Sequence, residues 1–522
     1  MDPSILSLLP ALIAVVLALT TRNVILSLFA AVWTAGTMMH PVSFSLPVVE
    51  YTVSAWNPLA GLYHSVDPYI VDAAADRDSM KVTIFSLFVG GAVGVMAKGG
   101  GTAALVERIV KHARSRRSGM LVTWLSGMLV FFDDYANCLV VGASMRPLCD
   151  KLKISREKLA YLVDSTAAPI ASIALVSTWI GYEVGLMGDG LEMAGIEKDA
   201  YAFFIEGIGY RFYSIFTIVF VGAVAFFGRD FGPMRAAEER AMRAPEAEGE
   251  LAQKDTSPAL PLLAILPILT LVGVTFGHLY VVGSAAAAEE GLANPALFEI
   301  IGGADGYDAM LQGSLAGMVV AMILAVVLRA LSLTDTFEAC IKGMTTLFPA
   351  LVVLMLAWAL GSGMADLHAA DYLVSVLQDS LHPALVPTVV FVVAAGIAFA
   401  TGTSFGTMGI VMPIVIPLSF ALAPHDPVIA LAASGAVLSG ACWGDHCSPI
   451  SDTTILSCVG SDCDVTAHVK TQLPYAMACG AISIVLGTLP VGFGVPLWIV
   501  IPLGLAACVL TVRFAGKQPQ PA

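Results

Sequence analysis

Between the apolar run 428–442 and the run that begins Ile455-Leu456, the chain places Gly444-Asp445-His446-Cys447-Ser448-Pro449-Ile450-Ser451-Asp452-Thr453-Thr454. Two carboxylates, an imidazole, four hydroxyls and a proline interrupt an otherwise apolar region. A charged side chain at bilayer depth costs roughly 2.5–3.5 kcal/mol on insertion scales, and proline among small hydroxyl residues opposes a continuous helix. Irregular backbone at that depth is tolerated only inside protein or along a wet cavity. The stretch therefore reads as an unwound segment of a membrane transporter that offers oxygen ligands to a cation.

Composition supports that class. Of 522 residues, 57% are apolar and 13% are charged, against about 25% charged in soluble domains. Several apolar runs reach or approach the ~20 residues that span a bilayer, so the expected fold class is an all-α polytopic membrane protein. The net charge of −14, with no clustered basic face, excludes nucleic-acid binding. The run 5–20 lacks a positive n-region and is expected to stay as a helix. Nine scattered cysteines show neither a paired framework nor a zinc spacing, and read as small membrane hydrophobes.

Loop charge sets the expected orientation. Connections 98–117, 151–158 and 229–243 are rich in Lys and Arg and belong on the cytoplasmic side, whereas 41–80, 181–200 and 284–307 are acidic and belong outside. Because the first two basic connections share a side, the stretch between them must enter the membrane and return as a hairpin (about 119–148). Phe131-Phe132-Asp133-Asp134-Tyr135-Ala136-Asn137 lies at its middle.

The second half repeats this plan. Met96-Ala97-Lys98 aligns with Met364-Ala365-Asp366 at an offset of 268, while Asp134 falls on Ser404 and Asn137 on Thr407 at 270. At 280, Ala168-Pro169-Ile170-Ala171-Ser172 falls on Ser448-Pro449-Ile450-Ser451-Asp452, which requires an insertion near 421–427. Matching loops carry opposite charge character, the mark of inverted-topology repeats with re-entrant hairpins and broken helices. The expected organisation is a first half, 1–228 (hairpin about 119–148, broken helix about 159–180), and a linker, 229–257. A second half follows, 258–490 (hairpin about 384–420, broken helix about 428–457), then a terminal helix and tail, 491–522. Eleven crossings and an external N-terminus follow from that scheme. Gly90 and Gly94 form a GxxxG that lets helices approach closely.

In inverted-repeat transporters the interrupted helices meet near the midplane. That places Asp134, Asn137, Asp164, Thr403, Ser404, Thr407, Asp445, Ser448, Asp452 and Thr453 as cation- and proton-binding candidates, with Asp133, Ser165, Thr166, His446 and Ser451 in second rank. Buried carboxylates without an equal supply of Lys or Arg hold either a proton or a metal ion, and Ser, Thr and Asn oxygens complete a hard-ion shell. Set against this, Ser and Thr in membrane helices commonly bond their own backbone. Adjacent Asp133 and Asp134 point differently, so one is expected to cap a helix, and His446 reads equally as a hydrogen-bonded neighbour. Gly402-Thr403-Ser404-Phe405-Gly406 matches GxSxG, but that motif needs a strand-to-helix elbow in an α/β sheet. A hydrolase built on Ser404, His446 and Asp445 is therefore set aside, and no enzyme activity is expected.

Phe132-Asp133-Asp134-Tyr135-Ala136-Asn137, the 402–407 motif Gly-Thr-Ser-Phe-Gly-Thr and the whole 444–454 motif resemble the NhaC-type Na+/H+ antiporter family of the ion transporter superfamily. The likeness runs over nearly the whole chain; Phe405 departs from the Trp of many relatives. The resemblance implies inverted repeats, an elevator-like motion and sodium extrusion driven by inward proton flow. Similar proteins exchange malate for lactate or move amino acids with sodium, so a sodium-coupled carrier of a small organic acid or amino acid stands as the alternative. The expected cargo is Na+ held by Asp445, Asp452, Ser404 and Thr407, exchanged for H+ without a cofactor. The expected setting is the bilayer of a bacterial-type inner membrane, with a homodimer as family analogy.

Overall fold

Hydrocarbon offers no water to backbone polar groups, so a spanning chain must satisfy them internally. In the computed structural model this is done almost wholly by helices. The structure describes residues 4–21, 23–46, 51–110, 113–175, 177–243, 260–289, 300, 304–369, 372, 375–376 and 381–520. The linker beyond 243, most of the acidic stretch 284–307, Leu373-Val374 of the repeat alignment and Asp371 and Asp379 lie outside those residues.

The first half runs α1 (Leu9–Thr21), α2 (Val24–Met39), a two-stranded antiparallel ribbon β1–β2 (Val42–Leu46 and Tyr51–Ala55), α3 (Arg77–Lys98) and α4 (Gly101–Val110). A hairpin follows: α5 (Arg116–Leu129), a turn, and a helix that starts at Asp134–Ala136 and continues through Asn137–Val141 into α6 (Gly142–Lys151). Then come α7 (Arg156–Asp164), α8 (Ala168–Ile173), α9 (Ile180–Met193), α10 (Ala200–Gly207), α11 (Phe212–Phe227) and, at the start of the linker, α12 (Gly232–Arg243). The second half runs α13 (Leu262–Glu289), α14 (Gly306–Val327), α15 (Leu333–Thr346) and α16 (Phe348–Asp366). It continues with the second hairpin, α17 (Val386–Thr401) and α18 (Ser404–Leu422), then α19 (Pro427–Cys447), α20 (Asp452–Ser461), α21 (Val465–Ser483) and α22 (Leu497–Ala515).

Among the described residues nine helices are long and apolar enough to cross a membrane, ten if the bent pair Ala200–Tyr210 and Phe212–Phe227 is one span. Both arms of the second hairpin are among the nine. The first hairpin has one short arm, the 14 residues of α5, and a second that runs without interruption from Asp134 to Lys151. The GxxxG acts as a packing device. A Cβ on Gly94 would lie 2.4 Å from the Ala339 carbonyl oxygen, so α3 and α15 pack backbone to backbone.

The repeat is visible in how hairpins meet broken helices. The helix after each hairpin turn is capped by a short polar side chain, Asp133 on the Ala136 N–H (2.5 Å) and Thr403 on the Gly406 N–H (3.4 Å), positions 270 apart. At the first tip, the Thr178 N–H donates to the Phe132 carbonyl (2.9 Å). At the second, Gly402, with φ +71°, lies so close to Ile450 that a Cβ would stand 2.6 Å from its carbonyl oxygen. Phe132 to Gly402 is 270 residues and Thr178 to Ile450 is 272, so the repeat needs no insertion. The structural counterpart of the unwound segment 448–451 is therefore 174–179, and not the 164–172 stretch expected from the proline match. Pro169 opens α8, at a position where the missing N–H costs nothing, whereas Pro449 sits in non-helical backbone between α19 and α20. Two prolines in like sequence thus play unlike roles. The interruption at 165–167, just after Asp164, belongs to the first half alone, since α19 runs unbroken from Pro427 to Cys447.

Candidate functional site

Asp445 lies two residues before the end of α19 and is fully buried. Across the break, Thr453 near the start of α20 donates its hydroxyl to Asp445 Oδ2 (2.6 Å), while Oδ1 has no hydrogen-bond partner among the described residues. Asp452 takes the Thr453 N–H on Oδ1 (2.8 Å) and the Tyr135 hydroxyl on Oδ2 (2.5 Å). The first hairpin thereby reaches the second half's broken helix. Cys138 adds to this contact, accepting from the Ser457 hydroxyl at 3.1 Å. Asp134 is buried beside these groups, within electrostatic range of Asp452, and its Oδ2 has no partner among the described residues.

A second centre forms around Asp164, which is fully buried at the end of α7. Gln472 Nε2 donates to its Oδ2 (2.6 Å), His468 Nε2 lies 3.3 Å from the same oxygen, and the hydroxyls of Thr454 and Ser457 approach at 3.4 and 3.3 Å. The two centres touch. Gln472 Nε2 also donates to the His446 carbonyl (2.9 Å), and the Thr454 hydroxyl reaches the Asp445 carbonyl (3.4 Å). The described ion pairs buried on both sides are Lys158–Asp230 and Arg211–Glu183, and neither includes Asp134, Asp445 or Asp452.

The remaining expected residues divide. Asp133 is the cap of the pair and Asp134 the partner left without a capping role. Asn137 joins hairpin to broken helix: its Nδ2 donates to the carbonyls of Gly127 (2.8 Å) and Thr166 (2.7 Å), while its Oδ1 is buried without a partner among the described residues. Thr166 and Thr407 back-bond to Leu162 (2.8 Å) and Thr403 (2.9 Å) in their own helices. Ser448 accepts the Ile450 N–H (3.4 Å), and Ser451 caps α20 through the Thr454 N–H (3.4 Å). His446 Nδ1 pairs with the Tyr213 hydroxyl at 2.9 Å. The hydroxyls of Ser165 and Ser404 are buried without a partner among the described residues.

Ser404 and Thr407 make no described hydrogen bond to Asp445 or Asp452; the two motifs meet through backbone, at Gly402 and Ile450. Among the described residues no three His, Cys, Asp or Glu side chains converge on a metal-sized site. A cation shell here has to combine one or two carboxylates with hydroxyl and carbonyl oxygens, the donor chemistry of a hard ion. A separate acidic cavity of about 760 Å³ is lined by Asp76, Asp189, Glu192, Asp199, Asp305 and Tyr307 among others, and it shares no residue with either centre.

Sequence reasoning overlooked Tyr135, His468, Gln472, Tyr213 and Arg211. His468, Gln472 and Tyr475 recur at helical spacing in a span, a polar stripe that signals one functional face. Arg211 stands inside the apolar stretch 200–227, between its two helices.

Residues 4–174 and 170–492 match the Na+/H+ antiporter family. The chain belongs to that family. An uncharacterized protein of Haemophilus influenzae is 32% identical over 494 residues, 94% of this chain and 91% of its own. Shorter segments resemble the malate-2H(+)/Na(+)-lactate antiporter of Bacillus subtilis, 45% identical over 60 residues (12% of this chain, 13% of that one). The arginine/ornithine antiporter ArcD of Halobacterium salinarum is 45% identical over 53 residues (10% and 11%). Among solved structures, the Alcanivorax borkumensis YdaH transporter superposes with a TM-score of 0.60 at 17% identity, over 93% of this chain and 99% of that one. Neisseria gonorrhoeae MtrF, from a class of antimetabolite efflux pumps, gives 0.56 at 13% identity, over 95% of each. These two likenesses concern the fold. This member of the Na+/H+ antiporter family is thus a multi-pass membrane protein with a transporter fold.

Proposed function

We propose that the protein exchanges cytoplasmic Na+ for external H+ across a bacterial inner membrane. Asp445 and Asp452 are the shared cation and proton carriers, with Asp134 and Asp164 as the further carboxylates that the first half contributes. The observation that carries this reading is the Tyr135–Asp452–Thr453–Asp445 hydrogen-bond chain across a helix break, in which neither carboxylate is paired with Lys or Arg among the described residues. A carboxylate in that position, fully buried at Asp445 and half-buried at Asp452, is costly when charged and alone, so it takes up either a proton or a cation. Occupancy by both is disfavoured electrostatically, and that competition couples the two flows. The donors Tyr135 and Thr453 favour the ionised form once Na+ arrives and keep the oxygens aimed; the hydroxyls of Ser404 and Thr407 belong to the same shell when the hairpin shifts. The halves 1–228 and 258–490 are the two repeat units that share the site, no cofactor beyond the two ions is needed, and a homodimer is the working assembly.

Ion-driven proton flux in proteoliposomes tests this. Asp445→Asn and Asp452→Asn should each abolish Na+-dependent proton movement; full flux in both variants overturns the assignment. A second reading, a sodium-coupled carrier of a small organic acid or amino acid, is favoured by Arg211 at membrane depth and by the malate, lactate, arginine and ornithine named for the two short matches.

A further inference from the structure

Arg211 sits at the 49° bend between Ala200–Tyr210 and Phe212–Phe227, and it is fully buried. Its backbone, with φ −85° and ψ 63°, leaves the helix there, so the bend and the guanidinium occupy one place in the fold. Nη1 donates to Glu183 Oε2 at 2.8 Å, and the ring of Phe204 covers the guanidinium at 4.3 Å. Nε and Nη2 have no partner among the described residues, and neither does Glu183 Oε1. Those two nitrogens form the side-on edge of the guanidinium, which offers two parallel N–H donors to the two oxygens of a carboxylate. A purely structural pair would gain most by turning that edge to Glu183. This pair instead uses a single end-on contact and leaves the stronger edge unpaired, a costly arrangement in a buried site.

The position of that edge gives it a role. Tyr210 packs on Gly435 of α19, and Tyr213 bonds to His446 of the same helix. Cys442, within electrostatic range of Arg211, precedes Asp445 by three residues, about one helical turn. A fixed cation with an unpaired bidentate edge is therefore within electrostatic range of a residue one turn before a carboxylate that lacks a cation.

We propose that the Nε/Nη2 edge of Arg211 is a carboxylate subsite, so that the protein binds a small organic carboxylate beside the cation at Asp445. Only that pairing rests on the proposed function; carboxylate binding at Arg211 stands independently of which cation Asp445 takes.

The test uses the purified full chain and measures thermal unfolding against acetate, glycolate, L-alanine and succinate, each set against the matching chloride salt. At least one carboxylate should stabilise the protein. Arg211→Lys, which keeps the charge but loses the planar edge, should weaken the apparent affinity about tenfold or more. Glu183→Gln, which removes the internal negative charge that competes for the guanidinium, should strengthen it. The proposal is overturned if none of the four stabilises beyond chloride, or if Arg211→Lys binds as the native chain does. Should Arg211→Lys not fold, an affinity in Glu183→Gln equal to or below the native value overturns it. Sodium-dependent proton flux of the native chain, measured in proteoliposomes without carboxylate, separates the readings: its absence counts against the antiport assignment and leaves the subsite untouched.

Discussion

Gly402→Ala probes the contact that joins the second hairpin to the broken helix, and its cost has two separable parts. With φ +71°, Gly402 occupies the left-handed region, where a Cβ costs roughly 1–2 kcal/mol. The same Cβ would stand 2.6 Å from the Ile450 carbonyl oxygen and 2.9 Å from Ile450 Cγ1. Backbone cannot rotate away as a flexible side chain can, so the tip must lift from 448–451, an overpacking cost of about 1–3 kcal/mol. Gly494→Ala isolates the first part, because Gly494 has φ +82° and a Cβ there would meet nothing within 4 Å. Reversible unfolding in mixed micelles should show Gly402→Ala losing about 1–3 kcal/mol more than Gly494→Ala. In proteoliposomes Gly402→Ala should also lose most of its Na+-dependent proton flux while Gly494→Ala keeps it. Equal losses for the two variants in both assays would refute the argument that this contact holds the site together.

Three further outcomes are expected. Lys158→Met should cost about 3–5 kcal/mol, because it strands the buried Asp230 that Lys158 and the Tyr475 hydroxyl (2.7 Å) now hold, and Lys158→Met/Asp230→Asn should recover most of the loss; thermal melts in which single and double variants agree would contradict this. Asn137→Asp should be less stable than Asn137→Leu, since it turns an acceptor toward the Gly127 and Thr166 carbonyls at a cost of about 1–3 kcal/mol beyond the lost donor, and equal melts would remove Asn137 from its joining role. Burial alone would raise the carboxyl of Asp305, but Lys81 (2.7 Å) and the N–H groups of Asp308 and Tyr307 outweigh it and hold it below the ordinary range. Its contribution is therefore present above the ordinary carboxyl pKa of about 3.9 and is lost as pH falls through the lower folded value. Melts taken down to that window should show a loss that Asp305→Asn lacks.

The interruptions were legible in the chain because their signals are local. Asp133, Thr403 and Ser451 are short polar side chains ahead of apolar runs, and each caps a restarting helix after a break. Asp134 and Ser404 occupy matching first positions after those caps, as the 270-residue offset predicted. Pairing the breaks failed for an equally physical reason. Proline marks both a helix start and unwound backbone, and only the Thr178 N–H on the Phe132 carbonyl decides that 174–179 is the partner of 448–451.

Apolar length and scarce charge were sufficient by themselves to indicate a helical membrane protein, since a bilayer permits few solutions to backbone hydrogen bonding; the likeness of the 132–137, 402–407 and 444–454 motifs to the family supplied the rest. They also placed Asp164, Asp445 and Asp452 among its functional carboxylates as an expectation. Which groups those carboxylates face was decided by tertiary structure alone. Tyr135 reaches Asp452 across 317 residues, and His468 and Gln472 reach Asp164 across 304 and 308. Arg211 gains its meaning only where a bend sets it against Glu183 and α19. Partnerships at such separations leave no periodicity in the chain, because a hydrogen bond needs proximity in space and not in sequence.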